Sequence, residues 1–69
     1  GFNRQLKMRI RERDGYRCVR CGKSQKEEGR TLHVHHLDHD HENNLPENLV
    51  AACNKCNIWA SFHRELPFS

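Results

Sequence analysis

The stretch LHVHHLDHDHENN, residues 32–44, holds five histidines, two aspartates and a glutamate in thirteen positions. Imidazole nitrogens and carboxylate oxygens bind divalent ions, and imidazole also exchanges protons near neutral pH. Such a density points to a metal-dependent active site; a polar surface loop is the plainer alternative. Two cysteine pairs flank the stretch, Cys18-x-x-Cys21 before it and Cys53-x-x-Cys56 after it. Each pair is a knuckle able to offer two thiolates to one tetrahedral zinc. Two disulfides in a small secreted domain are the other possibility. The paired spacing favours metal. The 31 residues between the pairs are more than adjoining knuckles need, and the histidines sit in that insertion.

A chain of 69 residues can make one domain, here residues 1–69. With 35% hydrophobic residues and a mean hydropathy of −1.02 the core must be thin, and a domain of this size usually needs a staple. Charge is unevenly spread. Residues 1–30 carry ten Lys and Arg against four acids, and residues 31–69 carry two against five. A basic arm beside an acidic, histidine-rich half suits a polyanion held against a metal site. No apolar run resembles an export signal or a membrane span. The chain begins Gly-Phe without an initiator Met, so a domain cut from a longer protein, or a tag remnant, is expected.

The elements that must position these groups follow from periodicity. Phe2, Leu6 and Ile10 recur every fourth residue among five basic side chains, which predicts a helix over 3–13. Asp14-Gly15 stops it. Tyr16 leads into the first knuckle, where Gly22 permits a tight turn. Residues 23–30 are polar and read as a loop. From Thr31 the pattern alternates, Leu32 and Val34 to one side and Thr31, His33 and His35 to the other, as in a half-buried strand. Residues 38–48 read as a long turn with Pro46 fixing the return, and LVAAC brings the chain to the second knuckle. Trp59, Phe62 and Leu66 share a helical face, so a second helix is predicted over 54–66, ended by Pro67.

RDGYRCVRCG, then LHVHHLDHDHENNLPENL, then CNKC opening a helix, resembles an HNH endonuclease of the ββα-metal superfamily. The resemblance covers residues 4–63. It implies a small α+β fold: a ββα-metal finger with zinc knuckles, preceded here by a basic helix. It also implies a structural Zn2+ on Cys18, Cys21, Cys53 and Cys56, and one catalytic Mg2+ or Mn2+. By the family's pattern His35 is a ligand of the catalytic ion and His36 the general base. Asn48 holds the hairpin loop by hydrogen bonds. The last signature position, usually His, is Asn57 here. Members such as the resolvase-like phage endonucleases and the HNH domain of CRISPR nucleases carry a working Asn ligand at this place, and an amide oxygen suits a hard ion. The implied activity is phosphodiester hydrolysis of DNA, leaving a 5′ phosphate and a 3′ hydroxyl, in a cytoplasmic protein of bacterial or phage origin. Arg17, Arg20 and Lys23, or residues of the first helix, are the candidates to hold the DNA backbone, and an attached domain is expected to read its sequence.

Three alternatives stay in view. Asp38-His39 has the same ligand-plus-base form as His35-His36, but the latter pair follows the strand directly and stands at the ordinary spacing from NNLPENL. Asp38, His39 and His41 then fall on the substrate side or behind the ligands. His63 lies six residues beyond Asn57, about 120° away around a helix, and is expected at the surface. A zinc-dependent DNA-binding module without catalysis is the alternative function. One geometric demand remains. Neighbours on a regular strand face opposite ways, so the strand must end or twist at His35-His36 if both are to reach one phosphate.

Overall fold

The computed structural model describes residues 3–68. In chain order it has helix α1 (Arg4–Arg13), a single-turn helix α2 (Gln25–Glu28), strand β1 (His33–His36), a 3-10 turn (Pro46–Asn48), strand β2 (Leu49–Ala52) and helix α3 (Asn54–Phe62). The strands pair antiparallel, with His35 opposite Val50 and His36 opposite Leu49. With α3 they form a ββα unit, and α1 packs against the strands. This is the small α+β arrangement the sequence predicts, with its N-terminal helix.

Asn3 opens α1, its Oδ1 accepting from the Leu6 amide at 2.9 Å. Ile10 is buried and Leu6 partly so, whereas Phe2 of the predicted stripe lies outside the described residues. The end of the helix is clasped onto the hairpin by charge. Arg13 pairs with Asp14 at 2.8 Å and donates to the carbonyls of Pro46 and Leu49, while Asp14 accepts from the Ala51 amide. Arg11 Nε donates to Leu32 O at 2.8 Å. Arg11 and Arg13 therefore hold the helix in place. Charge-assisted bonds to backbone carbonyls offset the lack of large side chains to pack.

Residues 23–30 differ from the predicted loop by one helical turn. Ser24 Oγ accepts from the Glu27 amide and Glu27 Oε1 from the Ser24 amide, a capping box closed by left-handed Gly29. The S-x-x-E signal is legible in the sequence. The turn matters because Glu28 then accepts from the Asn54 amide at 2.7 Å, at the start of α3. α3 is also shorter than predicted. It ends at Phe62, where His63 turns back so that its Nδ1 donates to Trp59 O and its ring stacks on the indole. Phe62 is 79% exposed and Leu66 lies beyond the helix, so only Trp59 of the predicted face packs on the core.

β1 stops at His36, as the dyad requires. Leu37 donates to Asn48 O and His39 N turns back to His36 O at 3.0 Å. Because α1 and α3 both pack on β1, His35 and His36 are each buried, at 8% and 5% exposure, in place of the simple in-out alternation expected. The core itself is small: Ile10 and Leu49, and a cluster of Cys18, Leu32, Ala51, Ala52, Cys53, Cys56, Ala60 and Phe68.

Asn48 holds the loop between the strands. Its Nδ2 donates to Asp38 Oδ1 and to Asn43 O, each at 2.9 Å, and its Oδ1 accepts from the Asp38 amide. Asn48→Ala removes three part-buried bonds and should cost roughly 2–3 kcal/mol. This corresponds to a fall of about 10 °C or more in the thermal midpoint. A shift of only about a degree by circular dichroism would show that the loop does not depend on this side chain.

Candidate active site and metal centre

The four cysteine sulfurs lie within 4.8 Å of one another, with Cys21 and Cys53 at 3.6 Å. A tetrahedral zinc with bonds of about 2.3 Å separates its sulfurs by roughly 3.8 Å, so the set fits such an ion. The first knuckle is shaped by Gly22, whose left-handed backbone lets its amide reach Cys18 O and the Cys18 amide reach Lys23 O. The second is the start of α3 itself: Cys53 caps the helix, its Sγ accepting from the Cys56 amide at 3.4 Å. Burial pushes the Cys56 thiol up to about 12 and also raises Cys53. Burial pushes Cys18 upward as well, but bonds from neighbouring backbone amides outweigh it and bring that thiol down to about 7. Sulfurs this close cannot all ionise together unaided, and a divalent cation at their centre would deprotonate them. Arg20 adds positive charge beside them, its Nη1 3.6 Å from Cys56 Sγ and its guanidinium 3.7 Å from the Trp59 ring centre.

Beside β1 a cleft of about 330 Å³ opens, walled by β1, His39, His41 and Asn57, with Lys7 and Arg11 of α1 also lining it. His35 is buried against two other rings. Its ring stacks on Phe68 at 4.7 Å and lies T-shaped to that of His39 at 5.1 Å. Burial, then the charges of His39, His36 and His41, lower its pKa below the ordinary 6.5, while the facing Asn57 side chain opposes the shift. His35 is thus held neutral, the state in which imidazole binds a metal. His36 Nε2 lies 2.9 Å from Asn44 Oδ1, and its ring sits 5.3 Å from that of His41. An amide oxygen only accepts, so Nε2 is the donor in this contact.

The structure therefore brings His35, His36 and Asn57 to one cleft. Asn48 stays behind the loop. Asp38 is also committed there: bonds from Asn43, the Asp40 amide and Asn48 hold its carboxyl down to about 2. His33 faces Asn54 at 3.2 Å, and His63 is folded onto Trp59, away from Asn57. Arg17, Arg20 and Lys23 lie at the knuckle rather than on the cleft. Arg17 donates to Gly22 O, and Lys23 pairs with Glu28 at 3.1 Å. Lys7 and Arg11 are the cleft residues that sequence reasoning did not single out. Their one signal is a four-residue spacing beside Leu6 and Ile10, the stripe that must face the strands.

The HNH endonuclease family model matches residues 18–59, more than half of the chain, from the first knuckle through the dyad to Trp59. The chain belongs to the HNH endonuclease family. No curated protein and no solved structure matches it. The family points to nuclease or DNA-binding function, with DNA as substrate or partner. Among the described residues no helix is long and apolar enough to cross a membrane. In this HNH domain α1, with Lys7 and Arg11, lies outside the matched stretch.

Two outcomes follow from these geometries. Ser in place of Cys18, Cys53 or Cys56, or treatment with a strong chelator, should unfold the domain, because so small a core depends on its metal. Retained circular dichroism with no zinc by elemental analysis would overturn the assignment. For His35 the depressed folded-state pKa means that stability is fully present above the unfolded value of 6.5 and is lost as pH falls through the lower folded value. The denaturation midpoint of the native protein, taken relative to His35→Gln, should accordingly decline as pH is lowered from 6.5. A difference independent of pH would contradict the shift.

Proposed function

We propose that this HNH domain is a metal-dependent DNA endonuclease that hydrolyses phosphodiester bonds and leaves a 5′ phosphate and a 3′ hydroxyl. The observation that carries the reading is the meeting of His35, His36 and Asn57 on one cleft beside the cations of α1. His35 and Asn57 would hold a divalent ion, Mg2+ or Mn2+, offering one neutral imidazole and one hard amide oxygen. Held there, such an ion would supply stabilisation of the charge that develops as the phosphodiester is hydrolysed. The four cysteines hold a structural Zn2+ and take no part in the chemistry.

His36 is the general base in this reading. With its proton on Nε2 toward Asn44, it would take a proton from the attacking water at Nδ1. Asn48 positions the base indirectly, by fixing the loop that carries Asn44. Lys7 and Arg11 would grip the phosphate on either side of the scissile bond, since they reach the cleft from the helix. Arg11 is already steadied by its Nε bond to Leu32 O, so its remaining donors can present a fixed fork. Arg17 and Lys23 would extend backbone contacts past the knuckle, whereas Arg20 divides its charge between phosphate and the Cys56 sulfur. Phosphate contacts of this kind do not read bases, so an attached DNA-reading domain would supply specificity.

Nicking of supercoiled plasmid with Mg2+ or Mn2+, and its loss with chelator, is the direct test. His36→Ala should lower the rate at least about a hundredfold while the fold and DNA affinity hold. Lys7→Gln should weaken DNA binding and reduce its salt slope by about one. No cleavage of double- or single-stranded DNA with either ion would sink the nuclease reading. Salt-sensitive DNA binding in that case would favour the zinc-dependent binding module.

A further inference from the structure

We infer that His39 is a third protein ligand of the catalytic divalent ion, completing a His35–His39–Asn57 donor set. The inference rests on the proposed nuclease reading and adds to it a residue outside the dyad and the helix.

Three observations converge on His39. The first is placement: it lines the cleft with His35 and Asn57 and is partly shielded from solvent. The second is ring geometry. Two imidazoles on one ion, each nitrogen about 2.1 Å from it, have centroids roughly 5 Å apart. The His35 and His39 centroids are 5.1 Å apart with planes at 77°, a separation that matches two imidazoles on one ion and is no face-to-face packing contact. Phe68 stacks on the His35 ring at 4.7 Å, and His39 and Asn57 line the cleft beside it.

The third observation is backbone conformation. His39 has φ 61°, a left-handed conformation that glycine or asparagine adopts more cheaply. The conformation is held from both sides: its amide bonds to His36 O, and the preceding Asp38 is tied to Asn43 and Asn48. A loop this well fixed has no local need of a histidine at that position. The imidazole is what a glycine would lack, and such strain persists where a side chain must be aimed.

The donor count also requires an amide. Among the described residues the four cysteines are the one set of three or more His, Cys, Asp or Glu donors gathered within 4.8 Å. A site of histidines and carboxylates alone is therefore not assembled in the cleft. Two imidazoles and the Asn57 side chain line it together. His41, the neighbouring candidate, is exposed and faces the ring of His36.

The test uses the whole zinc-loaded chain, titrated with Mn2+ by calorimetry, with bound Mn2+ examined by pulsed electron paramagnetic resonance for imidazole nitrogen couplings. The native protein is expected to bind one Mn2+ beyond its zinc, with two coordinated imidazoles. His39→Gly relieves the left-handed strain, so its thermal midpoint should equal or exceed the native one. Its Mn2+ affinity should nevertheless fall about tenfold or more, with one imidazole remaining. His39→Asn, also at ease in this conformation, should likewise show one imidazole, and His41→Ala should keep two. Native affinity and two imidazoles in His39→Gly or His39→Asn would overturn the role of His39 and leave the nuclease reading standing. A native protein that binds no Mn2+ beyond its zinc would overturn both.

Discussion

Cys53 occupies two roles at once, and the rest of the molecule follows from that coincidence. Its sulfur is a member of the four-cysteine cluster and also the cap that starts α3. Closing the cluster therefore joins knuckles separated by 31 residues and in the same act sets where the helix begins. Asn57 is one turn from Cys53, its amide bonded to Cys53 O, so the helical residue of the cleft is placed by the same constraint. A core of alanines, two leucines, one isoleucine and one late phenylalanine could not impose such order alone. The metal-fitting sulfur cluster stands in for the missing apolar volume.

Polar contacts do the remaining assembly. The Arg13–Asp14 pair and Arg11 bind α1 to the hairpin through backbone carbonyls and an amide, and Glu28 caps α3 from the other side. Among the described residues no buried side-chain nitrogen or oxygen lacks a hydrogen-bond partner. A small domain with a highly polar sequence can fold this way because its charges are directed at unsatisfied backbone groups. One consequence is functional. By clasping α1 onto the strands, the arginines bring Lys7 and Arg11 to the histidine cleft, although the helix lies outside the stretch shared with the HNH family.

The crowded stretch from Asp38 to Asn44 divides its labour by chemistry. Aspartate and asparagine side chains, short and rich in acceptors, bond to the loop's own amides and to each other. The imidazoles, longer and with no equivalent local partner, are turned to the cleft wall. That division removes Asp38 from the cleft and leaves the dyad at the end of β1, where the strand stops and its two adjacent histidines no longer face opposite solvent.

Local pattern was enough for much of this protein. The paired cysteines, the dyad at a strand end, Gly22 in the knuckle, the Asp14-Gly15 stop and the family itself were all legible, because each depends on residues within a few positions of one another. The one-turn helix at 25–28 was legible too, through its S-x-x-E box, though polarity suggested a loop. Other features needed the assembled molecule. Phe68 lies after the predicted helix yet stacks on His35, and Phe62, on the helix's apolar pattern, faces solvent. Of five chemically alike histidines in one stretch, composition does not say which meet in one cleft, nor that Lys7 and Arg11 join them. Those positions are decided by contacts between segments far apart in the chain: sulfur to sulfur, Arg11 to Leu32, Asp14 to Ala51. Periodicity assigns a side chain to a face, but only tertiary packing decides what that face meets.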